Sequence, residues 1–398
     1  MPNRNSSLHS FAAMESNSKH TNHKTSEESS DNIPSNTLLP GLPNHLAELC
    51  LSSVHPSLLS KVSHSWRRLI YSPSFPPFFS LYALLSPSPS HQTVINHMYD
   101  SNTNSIKFLS LDPISSTWQP LPSPPPDPPL HILHRHPSFL SRKLPIQMVT
   151  VSGHLVLIAA TTHQFMPSLS RPLVFNPIHN NWFYGPPFSI PRRWCATGSV
   201  AGSVYVASGV GSNYSGDVAR STERWGLKNS LDWKWEKKAG LKDGRFSRES
   251  VEAVGYKGKL CMVNVKGNAV KEGAIYDVES DLWEDMPEGM LAGWNGPVAT
   301  MDEMIMYVVD EAKGALSKYD AKKDCWEKLI ELVQLKGAEQ MDAGRGRVCV
   351  VCAKGERVVV VDVVVRPVRL WVVEPPPDLQ VVAVHILQRM SQTVSELS

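Results

Sequence analysis

The chain has 398 residues, of which 41% are hydrophobic and 19% charged, so it can bury a substantial core. Its 39 basic and 37 acidic residues leave a formal net charge of +2, which excludes the strongly basic surface that nucleic-acid binding requires. No stretch reaches the roughly 20 consecutive apolar residues of a membrane helix, and the aliphatic run 358–365 is short and is interrupted by Asp362.

The first 36 residues are rich in Ser, Asn and His and nearly lack aliphatic runs. This composition predicts a disordered tail, 1–36, without the hydrophobic segment of a signal peptide. Six cysteines are spread from position 50 to position 352, a distribution that predicts reduced, mostly buried thiols without a disulfide framework. We therefore expect a cytoplasmic or nuclear protein.

The segment 38–70 is a helical island ahead of a long strand-rich region. In its second half, apolar residues recur at spacings of three and four: Leu58, Leu59, Val62, Trp66, Leu69 and Ile70. This spacing predicts one helix over about 57–71, with Pro56 in its first turn, and a shorter helix opening at Pro43. So small a unit gains stability by packing its apolar face on the rest of the chain or on another protein.

These residues resemble an F-box. The pattern is matched by Leu42-Pro43, Leu46, Leu49, Val54, Leu58-Leu59, Val62-Ser63 and Trp66-Arg67, and we assign the domain to residues 37–85. The pair His64-Ser65 departs from it, since basic or Cys-containing pairs are frequent there. The resemblance implies that the helices bind the Skp-type adaptor, and through it cullin, by Leu42, Pro43, Leu46, Leu49, Leu58, Leu59, Val62 and Trp66. The alternative is an ordinary amphipathic helical hairpin.

A repeated spacing runs through the strand-rich region. Four segments place Asp or Asn six residues before Trp: Asp112 with Trp118, Asn176 with Trp182, Asp277 with Trp283, and Asp320 with Trp326. Because Asp and Asn cap turns, each segment predicts a strand, a tight turn and a short strand that carries the Trp. Degenerate copies end at Trp235 and Trp371, and the six tryptophans are 43 to 64 residues apart, which is typical of four-stranded propeller blades.

The repeats resemble kelch repeats over residues 92–390, and with the F-box in front the chain resembles the plant F-box/kelch-repeat proteins. The predicted fold is mainly β, a six-bladed kelch-type β-propeller preceded by a small all-α domain. The first repeat has strand candidates only near 93–98, 106–111 and 117–119. We expect the alternating segment at about 379–388 to supply its inner strand and to close the ring.

Long loops are predicted at one end of the propeller, where second-to-third loops and interblade links lie, and tight turns at the other. Recognition usually resides in long loops on a rigid scaffold, and Arg and aromatic side chains are favoured anchors. We predict that a protein target binds there through Arg192, Arg193, Trp194, Tyr214, Phe246, Arg248 and Trp294.

The sequence contains no complete catalytic or metal-binding motif. Cys349 and Cys352 have zinc-ligand spacing, but residues three apart on a strand face opposite sides and no second pair accompanies them. The histidines 131, 134 and 136 have no Cys or carboxylate nearby, and no nucleophile motif occurs. We predict no metal, no cofactor and no catalysis.

The family resemblance implies a substrate-recognition subunit of an SCF (Skp-cullin-F-box) ubiquitin ligase, whose propeller binds a protein destined for degradation. Two alternatives stay open. One is a kelch propeller that acts as an enzyme or binds a small ligand in its central channel. The other is an F-box protein that works outside ubiquitination by sequestering its partner. The target itself is not specified by any motif.

Overall fold

The structure is a computed structural model that describes residues 37–54, 56–70, 78–88, 106–113, 115–125, 130, 147–159, 169–211, 215–227, 233–248, 251–264 and 271–390. Within these ranges, 24 strands form six four-stranded sheets in which neighbouring strands are antiparallel. Helices precede the first sheet. The predicted fold class, a six-bladed propeller behind a small helical domain, is confirmed. The predicted tail 1–36 lies outside the described residues.

Three short helices form the N-terminal domain: α1 Asn44–Ser52, α2 Pro56–Val62 and α3 His64–Ile70. The sequence predicted a single helix over about 57–71, and the structure divides it at Ser63. The Ser63 Oγ accepts a hydrogen bond of 3.1 Å from the Trp66 backbone N–H, which is the geometry of a helix N-cap. This cap starts α3 in a new direction.

The strands are numbered in chain order, and within a blade they run from the propeller axis outward. Blade one contains β1 Phe79–Pro87, β2 Lys107–Asp112 and β3 Thr117–Pro120, and blade two contains β4 Gln147–Val151, β5 His154–Ala159, β6 Leu173–Asn176 and β7 Asn181–Tyr184. Blade three contains β8 Ala196–Val200, β9 Ser203–Ala207, β10 Thr222–Gly226 and β11 Glu236–Lys238, and blade four contains β12 Val251–Tyr256, β13 Lys259–Asn264, β14 Glu272–Asp277 and β15 Leu282–Asp285.

Blade five contains β16 Val298–Met301, β17 Ile305–Asp310, β18 Ala315–Asp320 and β19 Cys325–Glu331, and blade six contains β20 Gln340–Gly344, β21 Arg347–Cys352, β22 Arg357–Asp362 and β23 Arg369–Val373. The last strand, β24 Leu379–Gln388, is the inner strand of blade one. Two short helices, α4 Gly216–Arg220 and α5 Glu288–Gly293, lie in loops between strands.

The domain boundary differs from the predicted one. Residues 79–87, which the sequence analysis divided between the F-box (37–85) and an interdomain gap, form β1, and β1 pairs with β24 on one side and β2 on the other. The expected strand at 93–98 falls outside the described residues, and β1 occupies the second position in its place. Strand β1 is the strand that joins β24 to β2 in the first sheet. The propeller therefore begins at Phe79, the first residue of β1.

The Asp and Asn residues of the repeat cap the turns between third and fourth strands. Asp277 Oδ1 accepts hydrogen bonds from the backbone N–H groups of Glu279 and Ser280, at 2.9 and 3.1 Å. Asn176 Oδ1 accepts in the same way from Ile178 and His179. These are the local side-chain-to-backbone bonds that make Asp and Asn favourable in turns.

Five of the repeated tryptophans, those of blades one to five, join their blade to the one before it. In every case the indole N–H donates to a backbone carbonyl that follows the outer strand of the preceding blade. The pairs are Trp182 with Pro122, Trp235 with Pro186, Trp283 with Ala239, Trp326 with Met290, and Trp118 with Glu374. The last of these bonds, at 2.9 Å, crosses from blade one to blade six and so spans the point where the ring closes.

Trp371 does not belong to this ladder. In blades four and five the Trp pairs with the residue before the turn Asp, whereas in blade six that position is taken by Leu370, which pairs with Val361. Trp371 is one residue further along, so its side chain points to the opposite face of the blade. It is 37% exposed, and the Arg347 guanidinium stacks over its ring, 5.5 Å from the ring centroid.

The hydrophobic core is divided into six clusters, each of which joins neighbouring blades. The cluster between blades six and one also contains Leu51, Leu59, Leu69 and Ile70 of the helical domain. The helices and the propeller therefore share a continuous core. None of the helices in the described ranges is long and apolar enough to cross a membrane.

We expect Trp118→Phe to lower the free energy of unfolding by about 1 kcal/mol, because it removes the hydrogen bond to Glu374 across the closure while keeping most of the ring. Trp371→Phe is the matched control and should change it by less than about 0.5 kcal/mol. Urea unfolding, monitored by circular dichroism so that the signal does not depend on tryptophan, measures both free-energy changes. Equal effects of the two substitutions would contradict a special role for the Trp118 bond.

Candidate functional site: an exposed apolar stripe and two propeller faces

The helical domain has an outward side that is apolar. On α1 and just before it, Leu42, Leu46 and Leu49 are exposed, and on α2 Leu58 and Val62 are exposed. Leu49, Leu58 and Val62 each keep more than half of their accessible surface, at 62%, 56% and 61%. We call these five residues the exposed stripe. Apolar side chains concentrated on one short helical unit are typical of a protein-binding surface.

The inward side of the same helices is buried. Leu51 and Leu59 are 3% and 0% exposed and pack in the cluster that contains Phe78 and Phe79 of blade one. Leu59 was predicted to bind an adaptor, and the structure instead places it in the core shared with the propeller. Adjacent residues on a helix point about 100° apart, which separates Leu59 from Leu58.

Trp66 has a structural position as well. It packs partly buried against the same core cluster, and its indole N–H donates to the Leu38 carbonyl at 2.8 Å. This bond holds the segment that leads into α1 against α3. Of the eight residues predicted to bind an adaptor, those on the outward side of the helical domain are Leu42, Pro43, Leu46, Leu49, Leu58 and Val62.

The helical domain lies at the tight-turn end of the propeller. Phe79, the first residue of β1, pairs with Gln388, the last residue of β24, and the β2–β3 turn that follows Asp112 lies at the same end. The Arg345 guanidinium, in the β20–β21 turn, stacks on the Phe79 ring at 4.6 Å. Second-to-third loops and interblade links lie at the other end, which we call the long-loop face.

Four of the seven residues predicted to bind a target are buried. Trp194, Phe246 and Trp294 are 6%, 3% and 1% exposed, and Trp294 donates from its indole to Glu252 Oε2 at 3.2 Å. Arg192 is 2% exposed and its Nη2 lies 2.6 Å from Glu223 Oε1. All four lie in links between blades, and Phe246 and Trp294 pack in the core clusters there. As exposed anchors the four predictions are wrong.

The other three predicted residues have different outcomes. Arg193 is partly exposed and its guanidinium stacks over the Trp194 ring at 4.8 Å. Tyr214 lies outside the described residues, as does the side chain of Arg248. Exposed apolar residues that the sequence analysis did not select also lie on this face, among them Ile190 and Val333, at 40% and 69% exposure. No sequence signal marks them, since Ile190 is close to Phe188 and Val333 follows Leu332.

A cavity of about 720 Å³ runs along the propeller axis and is lined by the inner strands. Asp342 on β20 lies in its wall, where Asp342 Oδ2 accepts a 2.6 Å hydrogen bond from the Ile386 N–H of β24. Burial raises the pKa of this carboxyl to about 7. Burial lowers the pKa of His385 to about 4, and its Nδ1 lies 3.3 Å from Thr150 Oγ1.

The cysteine pair follows the predicted core interpretation. Cys349 and Cys352 are both fully buried on β21, and they belong to clusters on opposite sides of blade six. Burial raises the pKa of the Cys352 thiol to about 12, which keeps it protonated. Among the described residues, no group of three His, Cys, Asp or Glu side chains is placed to hold a metal ion. The three histidines 131, 134 and 136 lie outside those residues.

The fold and the site together define the class of protein: a β-propeller that carries a small helical domain with an exposed apolar stripe. The chain is 52% identical over 365 residues to the F-box/kelch-repeat protein SKIP25 of Arabidopsis thaliana, covering 89% of this chain and 90% of that protein. It is 26% identical over 287 residues to the F-box protein AFR of the same plant, covering 70% and 69%. No protein-family model matches the sequence.

The first of these matches extends over both the helical domain and the propeller, at an identity well above that of fold similarity alone. The chain therefore belongs to the F-box/kelch-repeat proteins. The F-box corresponds to the three helices, and the six kelch-type repeats correspond to the blades.

The neighbours Leu58 and Leu59 provide a matched test of the two sides of the F-box. We expect Leu59→Ala to lower the free energy of unfolding by about 3 kcal/mol, because it leaves a cavity in the shared core. Leu58→Ala should change it by less than about 0.5 kcal/mol, since its side chain is exposed. Urea unfolding with hydrogen exchange of α1 to α3 provides the measurement. Similar destabilisation by both variants would contradict the burial pattern.

Asp342 should make stability depend on pH. In the folded chain the Asp342 carboxyl keeps its proton up to about pH 7, whereas its ordinary pKa is 3.8. The folded state therefore binds this proton more tightly than the unfolded state does. The resulting contribution to stability is fully present below about pH 4 and is lost as the pH rises through 7. The unfolding free energy of the wild type minus that of Asp342→Asn should fall by about 2 kcal/mol from pH 5 to pH 7.

His385 titrates in the opposite sense, since its lowered pKa removes stability as the pH falls through 6.5 towards 4. It is present in both proteins, so the subtraction cancels it. Asp217→Asn is the control, because the Asp217 side chain is 88% exposed. A difference that stays constant between pH 5 and pH 7 for Asp342→Asn would refute the raised pKa of this carboxyl.

Proposed function

We propose that this protein is the substrate-recognition subunit of an SCF ubiquitin ligase. In this role the exposed stripe binds the Skp-type adaptor, which connects to cullin, and the propeller binds a protein target. The observation that carries the proposal is the two-sided F-box: Leu49, Leu58 and Val62 are exposed, while Leu51 and Leu59 anchor the same helices to the propeller. Membership in the F-box/kelch-repeat family supports it.

The target is proposed to bind at the long-loop face. This face lies at the opposite end of the propeller from the F-box, so the adaptor and the target can be bound at the same time without competing for surface. Arg193, Ile190 and Val333 lie on this face and are at least partly exposed. Arg is enriched among the residues that contribute most of the binding energy of an interface, and exposed aliphatic side chains contribute by burying apolar area.

The proposed role requires no chemistry from this chain. A receptor accelerates ubiquitin transfer by holding the target lysine near the ligase, which is catalysis by proximity and is supplied by binding energy. The protein is proposed to act in the cytoplasm, the nucleus or both.

We expect the full chain to copurify with a Skp-type adaptor, and we expect the triple variant Leu49→Ala, Leu58→Ala, Val62→Ala to bind it at least 100-fold more weakly. Each of these side chains would lose apolar area at the centre of the interface, where truncation costs about 1 to 2 kcal/mol or more. Isothermal titration calorimetry with the purified adaptor measures the affinity.

Val333→Ala is the matched control, because Val333 is an exposed aliphatic residue on the propeller, at 69%. It should bind the adaptor as the wild type does. Wild-type chain that shows no affinity for any Skp-type adaptor, or a triple variant with unchanged affinity, would reject the proposal. Stability of a bound target in cells then separates degradation from sequestration: a receptor shortens the half-life of its target, and a sequestering protein leaves it unchanged.

A further inference from the structure

The turn aspartates of blades four and six are each paired with a cation on the neighbouring strand, whereas Asp320 of blade five pairs with Lys323 of its own turn, at 3.4 Å. In blade four, Asp277 lies 2.9 Å from Lys259 Nζ, and Lys259 is its partner on the neighbouring strand. In blade six, Asp362 lies 2.8 Å from Arg347 Nη1, and Arg347 is again the strand partner. The cation thus comes from within the same blade, one strand further in.

Blade one departs from this pattern. Its turn aspartate, Asp112, pairs with Arg389, which follows the inner strand β24; the distance from Arg389 Nε to Asp112 Oδ1 is 3.0 Å. The Asp112 Oδ2 atom still caps the turn by accepting from Ser115 N and Oγ. One carboxylate therefore holds the turn with one oxygen and a distant arginine with the other.

The same arginine reaches the F-box. Its Nη1 donates a hydrogen bond to the carbonyl of Ser52, the last residue of α1, and its backbone N–H donates to the Phe78 carbonyl at 3.0 Å. The C-terminal carbonyls of a helix lack intrahelical partners and attract cations. Arg389 thus connects the end of α1 to the tight turn of blade one.

This contact is shielded from water. The side chains of Arg389 and Asp112 are 14% and 10% exposed, and Ser52 is 4% exposed. Charges in such a position are screened little by salt, and removing one partner leaves the other partly buried and uncompensated. Directly beside it, Leu51 of α1 packs in the core cluster with Phe78 and Phe79. The joint therefore combines an apolar contact, which has no preferred direction, with a directional charge-assisted one.

We propose that Arg389 locks the F-box to the tight-turn face in one orientation and is a positioning residue for ubiquitin transfer. The structural part of this proposal concerns the free chain, and its consequence for transfer rests on the proposed function. A fixed joint sets the distance between the adaptor on the exposed stripe and the target on the long-loop face, so it determines which lysines the ligase can reach.

The substitution Asp112→Asn isolates the ion pair. Asn176 caps the equivalent turn of blade two with its Oδ1, so asparagine at position 112 should preserve the turn and remove only the charge. Arg389→Ala removes both contacts. Arg389→Lys keeps the charge but lacks the planar fork that reaches two acceptors, and it should have an intermediate effect. Arg220→Ala is the control, because Arg220 is 53% exposed and is paired only at 3.7 Å, with Asp217.

The orientation can be measured by double electron–electron resonance between spin labels. Cys50 on α1 is a native exposed thiol, and Lys313, 70% exposed on the propeller, can be changed to Cys after Cys325→Ser removes the partly exposed thiol. We expect a single narrow distance distribution for the full chain and for Arg220→Ala. We expect the width to increase at least twofold in Asp112→Asn and more in Arg389→Ala, with little change in thermal unfolding of the propeller.

Distributions of equal width in wild type, Asp112→Asn and Arg389→Ala, all folded by circular dichroism, would overturn the lock, and so would a broad wild-type distribution. If Arg389→Ala does not fold, Asp112→Asn and Arg389→Lys decide the question. With adaptor and cullin added, Asp112→Asn and Arg389→Ala should bind the adaptor within twofold of wild type. Both should nevertheless distribute self-ubiquitination over more lysines than wild type does. Absence of adaptor binding by wild type would reject the proposed function and leave the distance measurement valid.

Discussion

The pairing of the C-terminal strand with the first strand of the propeller is the interaction on which the rest of the structure depends. Nine residue pairs join β24 to β1, from Phe79 with Gln388 to Pro87 with Leu379. This pairing supplies the fourth strand of blade one and covers the edge of β1 that would otherwise be free. It also brings residues nearly 310 positions apart into contact, as the Tyr82 hydroxyl does in donating to the Gln388 carbonyl at 2.5 Å across a separation of 306 residues. Closure of this kind is entropically costly and must be offset by the whole interface between blades six and one.

The repeating part of the fold was accessible from sequence because it is local. An Asp or Asn six residues before a Trp specifies a capped turn and a returning strand, and the bonds at Asn176 and Asp277 are the ones that such a turn requires. The spacing could not show the pairing register of the two strands that flank a degenerate turn. In blade six the longer turn shifts Trp371 by one residue, which reverses its side, and no count of residues along the chain reveals that shift.

The boundary of the propeller was harder to predict than its repeats. Strand β1 is buried on both faces over nearly its whole length, so it has no alternation of apolar and polar residues. A continuous apolar run can be read as part of a helical domain or as a central strand. Only the pairing with β24, nearly 300 residues away, distinguishes these two interpretations.

Prediction of the candidate site was limited by the same problem. The spacing marks Leu58 and Leu59 as apolar, but which of them faces the propeller depends on where the propeller lies. The interblade links carried a similar ambiguity, because Arg192 and Trp294 are large side chains in loops and both are buried.

The shared core has a consequence for how the F-box can be recognised. Apart from Ala47, the fully buried apolar residues of its three helices, Leu51, Leu59, Leu69 and Ile70, all lie in the cluster that includes blades one and six. Very little of the F-box is therefore stabilised by its own packing, and a segment of this size folds poorly without a partner surface. The surface it uses, around Phe78 and Phe79, exists only when β1 is paired with β24. It follows that the packing of the F-box helices depends on a propeller in which the first and last strands are paired.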